Sequence, residues 1–440
     1  MNRPQQHILS NGLRVVLVPC EAESVAFGLF IASGSRHETA KTAGISHFIE
    51  HMLFKGTPTR RPIDITRAIE GRGGNFNACT GEESTCYFAH LPSEYLEEAV
   101  DIISDMYLNA TIPADEFARE KEVVIEEIKM YADEPDCVAM ENLQAALFPK
   151  HPLGRPVAGS AKSLGPLTPD DLRQYIKAHY LPTATIAVVV GAFEPEMALD
   201  VVARALGERG GKSLLRRDKS VASPLSTPAG DATLLSRRNK NSSSAVLLPP
   251  TPEVVVRKDV NQAQLALGYR TFGIHDERKY AATVLDAILG RGMSSRLFQE
   301  VREKRGLSYD ISSRMQFFQD AGFLSITAGL DAAKGDKARA TIDRELQKLV
   351  AKRVSVTELK RIKEFLVGNF RLSHEKVTSK LFFYGNTALS FDRLVMPQEQ
   401  VEAIKRVTAA DVQAVAAEIF RPENASVSLV LPKTMSNGRE

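Results

Sequence analysis

Val25-Ala26-Phe27-Gly28-Leu29 and Leu265-Ala266-Leu267-Gly268-Tyr269 lie 240 residues apart and read as the same strand written twice. The same offset of about 240 returns further along the chain. Leu167-Thr168-Pro169-Asp170-Asp171-Leu172 matches Val407-Thr408-Ala409-Ala410-Asp411-Val412. Tyr180-Leu181-Pro182 with the strand Thr185–Val190 matches Phe420-Arg421-Pro422 with the strand Ser426–Leu431. Matches held in one register predict an internal duplication. The expected fold class is α+β: two similar α/β-sandwich domains with antiparallel or mixed sheets flanked by helices. The expected divisions are 1–215, a linker at 216–257 and a second domain at 258–440. The Ser- and Arg/Lys-rich run Ser236–Ser244 marks the linker as a solvated connector.

Composition sets outer limits. The chain has 440 residues, 43% hydrophobic and 25% charged, within the range of a globular protein of more than one domain. A net charge of +2 gives no strong pull towards nucleic acid or acidic membrane, and neither is an expected partner. The sequence holds no apolar run long enough to span a bilayer. Met1–His7 lacks the apolar core of a signal peptide, so a cytoplasmic location is the expectation. Cys20, Cys79, Cys86 and Cys137 show no Cys-x-x-Cys spacing and read as free thiols.

The first half carries His47-Phe48-Ile49-Glu50-His51. Histidines at i and i+4 project from one helix face and can reach one metal ion. Glu50, just before the second histidine, can hold a water on that metal and accept its proton. The order His-x-x-Glu-His is the inverted zinc-peptidase motif. The surrounding residues 44–54 are apolar nearly all round, which predicts a buried helix. Thr42 is the expected cap at its start, and Gly56 fits a left-handed position past its end. Buried imidazoles and a carboxylate need partners, and a divalent cation satisfies all three.

A third ligand is needed for a tetrahedral catalytic site. The best candidate stretch is a long helix between Pro113 and Pro135. On a wheel of about 100° per residue, Glu127 and Glu120 point with the apolar stripe of Phe117, Val124 and Ile128. Glu126 turns towards the wet face. One inward carboxylate reads as a ligand and the other as its support. The duplicated half places Ala287–Gly292 opposite the pentapeptide and Val367–Asn369 opposite Glu127, with no ligand at either. A metal-free copy of the fold is free for another task, such as holding substrate.

His47–His51, followed by Glu127 76 positions later, resembles the pitrilysin/insulinase-type zinc peptidases. The two-domain branch of that family includes mitochondrial processing peptidase and bacterial relatives. The resemblance implies one zinc per chain, ligated by His47, His51 and Glu127. It implies Glu50 as general base and Glu120 as a supporting catalytic residue. Gly73–Thr80 looks like the family's edge strand, where Asn77 and Ala78 would bind a peptide through main-chain hydrogen bonds. Arg296–Tyr309 resembles the family's Arg/Tyr substrate motif, with Arg302 on a substrate carbonyl and Tyr309 on the oxyanion. The implied function is a zinc endopeptidase acting on short or unfolded peptides inside a dimeric chamber. The expected partner is a second copy of the chain or a metal-free sister subunit. The alternative is a non-catalytic peptide-binding or assembly subunit of a processing-peptidase-like complex.

Overall fold

In the computed structural model, residues 3–207, 247–391 and 393–433 are described. They form two compact units, and neither is a contiguous half of the sequence. Unit 1 comprises the described parts of Met1–Ile125, Val157–Val246 and His374–Leu394, and unit 2 those of Glu126–Pro156, Leu247–Ser373 and Val395–Glu440.

Unit 1 holds strands β1 (Gln5–Ile8), β2 (Arg14–Pro19), β3 (Ser24–Ile31), β4 (Asn75–Thr80), β5 (Thr85–Pro92) and β6 (Thr185–Gly191). They form one sheet in the order β1-β2-β6-β3-β5-β4, with only β2 and β6 parallel. In chain order the helices up to the midpoint are α1 (Ile45–Leu53), α2 (Pro62–Glu70), α3 (Leu96–Asn109), α4 (Ala114–Asp133), α5 (Pro135–Leu147), α6 (Ala161–Leu164), α7 (Pro169–His179) and α8 (Pro195–Leu206). Beyond it come α9 (Lys279–Gly290), α10 (Gly335–Ala351), α11 (Val356–Ser373), α12 (Val377–Ser390), α13 (Pro397–Arg406) and α14 (Ala409–Ile419).

The sheet of unit 2 is built from β7 (Glu253–Lys258), β8 (Ala263–Thr271), β9 (Ser308–Phe317), β10 (Gly322–Leu330) and β11 (Ala425–Pro432). Its order is β7-β11-β8-β10-β9, again with one parallel pair, β7 with β11. Strand for strand this repeats β2-β6-β3-β5-β4. The duplicated helix starts agree in detail. Thr168 and Thr408 each accept the N–H of the aspartate three residues on, Asp171 or Asp411, at 3.3 and 3.2 Å. Each aspartate accepts the threonine N–H at 2.8 Å, the reciprocal bonds of a capping box.

β3 and β6 are buried along nearly their whole length because helices cover both faces of the sheet. One face of unit 1 meets α3 and α8. The other meets α12, whose Leu381, Tyr384 and Ala388 pack on Phe30, Val188 and Val190. In unit 2, α5 plays the same part, with Leu143 and Leu147 packed over Ala266 and Val430. The repeated glycines make this possible. A Cβ on Gly28 would lie 3.2 Å from Leu381 Cδ2, and one on Gly268 2.8 Å from Leu147 Cδ1. The contiguous halves 1–215 and 258–440 therefore differ from the compact units, since each sheet is completed by a helix from beyond those limits.

Within the expected linker 216–257, positions 216–246, including Ser236–Ser244, lie outside the described residues. The rest is corrected in part: Glu253–Lys258 is a strand, because its main chain pairs with β11. No helix among the described residues is long and apolar enough to cross a membrane.

Two glycine substitutions should act in opposite directions. A Cβ at Gly385 of α12 would fall 2.3 Å from the Phe30 ring, while at Gly368 of α11 nothing lies within 4 Å. Gly385→Ala is expected to cost about 1–3 kcal/mol by overpacking. Gly368→Ala should stabilise by up to about 1 kcal/mol through helix propensity. Urea-unfolding midpoints of the two variants, compared with the parent chain, check both signs.

Candidate metal centre

Helix α1 begins at Gly44, whose φ of 91° is left-handed, and a Cβ there would lie 2.5 Å from the Ala158 carbonyl oxygen. The expected cap, Thr42, bonds instead to Thr39. Glu38 takes its place. Its carboxylate is 5% exposed and accepts the N–H groups of Gly44 at 2.8 Å and Ser46 at 2.9 Å. A negative charge on these amides also opposes the positive end of the helix dipole. Ser46 Oγ lies 3.1 Å from the hydroxyl of Tyr175, which fixes α1 against α7. Past the other end, Gly56 has a φ of 109°, the left-handed conformation its position calls for.

Ile45, Phe48, Ile49, Met52 and Leu53 are buried, which leaves His47, Glu50 and His51 on the remaining, half-buried face. The two imidazole centroids are 4.8 Å apart. Helix α4 packs its Phe117 ring 4.9 Å from that of Phe48. It then runs without a break past Ile125, where the units divide. Ligand atoms of His47, His51 and Glu127 all lie within 4.8 Å of one another. Glu126, by contrast, is exposed and paired with Lys129 at 2.7 Å.

His51, Glu127 and Glu50 are each held by a neighbour. Glu120 is 8% exposed and has one oxygen 3.2 Å from His51 Nδ1 and the other 2.5 Å from Lys55 Nζ. A carboxylate placed on Nδ1 fixes the orientation of the His51 ring, as the groups behind metal-ligating histidines commonly do. Tyr131 donates to Glu127 at 2.8 Å, one helical turn on. Thr80, at the end of β4, donates to Glu50 at 2.5 Å. Beside the site, the hydroxyls of Tyr87 and Tyr180 lie 3.0 Å apart. Burial pushes both phenols well up, and the charge of Glu50 adds a smaller push, so they stay neutral. Two imidazoles and one carboxylate match the donor set that holds zinc in three-ligand sites.

Residues 14–161 match the insulinase family, peptidase family M16, and residues 166–366 match the peptidase M16 inactive domain. The uncharacterized zinc protease YmxG of Bacillus subtilis is 34% identical over 429 residues, covering 97% of this chain and 98% of that protein. This chain belongs to the M16 peptidase family. The uncharacterized zinc protease Rv2782c of Mycobacterium tuberculosis is 35% identical over 419 residues, covering 95% and 91% of the two chains. The crystal structure of a protease from Helicobacter pylori shares the fold, with a TM-score of 0.85 at 22% identity over 98% and 99% of the chains. A peptidase M16 inactive domain from Pseudomonas fluorescens does so with a TM-score of 0.82 at 20% identity, with the same coverage.

The described residues of the second M16 half show no such donor set. Among the described residues, His47, His51 and Glu127 are the one group of three that could hold a metal ion. In α9, the counterpart of α1, Ala287, Ile288 and Leu289 are fully buried. Its Asp286 is tied to Arg291 at 2.5 Å and Ser313 at 2.6 Å.

Asn77 and Ala78 lie on β4, the last strand of its sheet, with β5 as partner. Gly81 donates to Ser84 at 2.9 Å. Alternation along an antiparallel ladder then makes Asn77–Phe88 a hydrogen-bonded pair and turns the Ala78 main chain outwards. There, Asn77 Oδ1 accepts the Ala78 N–H at 2.8 Å. The open main-chain edge is thus at Ala78, while Asn77 contributes its side chain. Arg302 and Tyr309 belong to unit 2. Arg302, in the wide helical turn Phe298–Glu303, stacks 4.7 Å over Phe298. Tyr309, on β9, is 79% exposed.

Sequence reading missed the grips of Lys55, Tyr131, Thr80 and Glu38. Only Tyr131 sits four residues after the group it holds, Glu127, a legible helical spacing; Lys55 holds Glu120 across the fold. Thr80 and Glu38 reach theirs through the fold and left no such signal. Replacing Glu120 by Ala should weaken divalent-metal binding about 10–100-fold. Glu126→Ala should leave it unchanged, and competition with a chelator measures both.

Proposed function

We propose that this M16 chain is a zinc-dependent endopeptidase acting on short or unfolded peptides, with one zinc per chain. The observation that supports this best is the convergence of His47, His51 and Glu127, with Glu50 on the same face of α1 as the two histidines. Zinc, held by His47, His51 and Glu127, would supply the polarisation of a scissile carbonyl and of an attacking water. Glu50 accepts the proton from the attacking water and returns it to the leaving amine. Thr80 donates to one Glu50 oxygen and so fixes the direction of the carboxylate. Glu120 sets the His51 ring and Tyr131 sets Glu127. A peptide aligns as an added strand on β4, pairing at Ala78 where the Asn77 amide now caps the edge.

Arg302 and Tyr309, exposed on unit 2, act on substrate in this reading, the arginine on a carbonyl and the tyrosine on the developing oxyanion. They serve the zinc site of a second copy in a homodimer, so each site draws on two chains.

Glu50→Gln should keep stoichiometric zinc and lose cleavage of an unstructured peptide library by at least about 10²–10⁴-fold. His51→Ala should lose both zinc and cleavage. A zinc-replete parent chain that cleaves nothing in the library would instead establish a non-catalytic peptide-binding subunit.

The shared site has its own test. Glu50→Gln chains mixed with Arg302→Ala/Tyr309→Ala chains should regain activity, because one site of the mixed dimer is intact. No recovery, with a solution mass of one chain, refutes the dimeric site.

A further inference from the structure

Cys79 of β4 and Cys86 of β5 are direct cross-strand partners. The ladder alternation that turns Ala78 outwards makes them a hydrogen-bonded pair, with Cα atoms about 5.5 Å apart. A disulfide spans about 4.4–6.8 Å between Cα atoms but only about 3.5–4.5 Å between Cβ atoms, against about 4.5–5.5 Å for cross-strand partners, so the Cα spacing fits while closure must pull the two residues together. Cross-strand partners project from the same face of a sheet, so the two sulfurs face each other. That face is the one packed by α12, since Cys86 lies in the cluster of Phe30 and Leu381. The metal-site side chains of α1 meet the opposite face, where Thr80 reaches Glu50.

The two thiols differ in the way an oxidisable pair requires. Cys79 is exposed and Cys86 buried, and both are free. Hydrogen bonding to Cys86 draws the Cys79 thiol down, while burial pushes Cys86 well up. Cys79 is therefore the attacking group and Cys86 the resolving one.

We propose that Cys79 and Cys86 form a redox site that peroxide closes to a reversible disulfide, tying β4 to β5 and slowing peptide entry at the edge. The Cys79 thiolate attacks one peroxide oxygen. An S–O bond forms, the O–O bond breaks, and hydroxide leaves to take up the proton Cys79 released. Cys86 sulfur then attacks the Cys79 sulfur. The S–S bond forms, the S–O bond breaks, and the departing hydroxide takes the Cys86 proton. Two thiols and one hydrogen peroxide become one disulfide and two waters. Closing the link draws Cys79 towards β5 and shifts its neighbours Ala78 and Thr80, which raises KM. The kinetic part rests on β4 being the peptide's edge; the chemical part does not.

The test treats the full-length chain carrying Cys20→Ser and Cys137→Ser with stoichiometric hydrogen peroxide and maps proteolytic fragments by mass. The expected product is a Cys79–Cys86 link, two hydrogens lighter than the reduced form. It should open with dithiothreitol and be absent in a further Cys79→Ser variant. Oxidation that ends at Cys79 sulfinic acid, or links between separate chains, overturns the redox site. With the link in place, KM for an unstructured peptide should rise at least threefold with zinc content constant, and fall back on reduction. A linked chain with unchanged KM overturns the regulatory part. A chain that links normally but cleaves no peptide in either state faults the peptidase reading and leaves the redox site standing.

Discussion

The packing of Phe117 on Phe48 sets where the metal donors meet. These rings lock α4 across the back of α1, with centroids 4.9 Å apart. A helix rises about 1.5 Å per residue and hardly bends over three turns. Once Phe117 is seated, the positions of Glu120 and Glu127 follow from that rise and from the 100° step. Glu120 arrives beside His51 and Lys55, and Glu127 beside both histidines. The coordinating geometry is therefore a consequence of apolar packing. The polar grips of Tyr131 and Thr80 only trim it. Glu38 completes the arrangement by fixing the other end of α1, the element that carries both histidines and Glu50.

The duplication shows how one frame serves two purposes. Both sheets keep the same strand order and the same threonine–aspartate caps. Both keep a glycine under the helix that closes the outer face. The difference lies in how the helix beside the edge hairpin is packed. In unit 1, α1 leaves a polar face partly open next to β4. In unit 2, α9 is buried almost throughout and packs on β9, with a Cβ on Gly290 falling 2.4 Å from Ser313 N. α9 carries no histidine, and its one carboxylate, Asp286, is tied to Arg291 and Ser313. Sealing that face removes the site while preserving the fold.

Much of this was legible in the sequence because it rests on local periodicity. The i, i+4 histidines, the inward turn of Glu127 against the outward turn of Glu126, and the repeated capping boxes all follow from helical spacing. The M16 resemblance followed from the same residues. What was not legible depends on contacts distant in sequence. Thr42 is a good local cap, yet Glu38 displaced it, because a buried carboxylate can bond two amides where a threonine hydroxyl bonds one. The helices completing each sheet lie beyond the expected domain limits, since an apolar helix does not state which sheet it will cover. β7 was read as linker because its strand pattern is brief and its partner β11 lies near the other end of the chain.

The edge at β4 carries two conflicting demands. A peptide can add there only if main-chain groups remain available, but an open edge also invites pairing with other chains. Asn77 answers both. Its side chain accepts the outward N–H of its neighbour Ala78, so the edge is covered without a bulge, a proline or a covering helix. A local amide bond of this kind contributes only about 1 kcal/mol net. A strand that pairs along several residues outcompetes it, whereas a glancing contact does not. The cap thereby favours extended segments over folded surfaces, in line with the proposed action on short or unfolded chains. Cys79 follows on the same strand, and a link to Cys86 would stiffen the segment that has to admit the peptide.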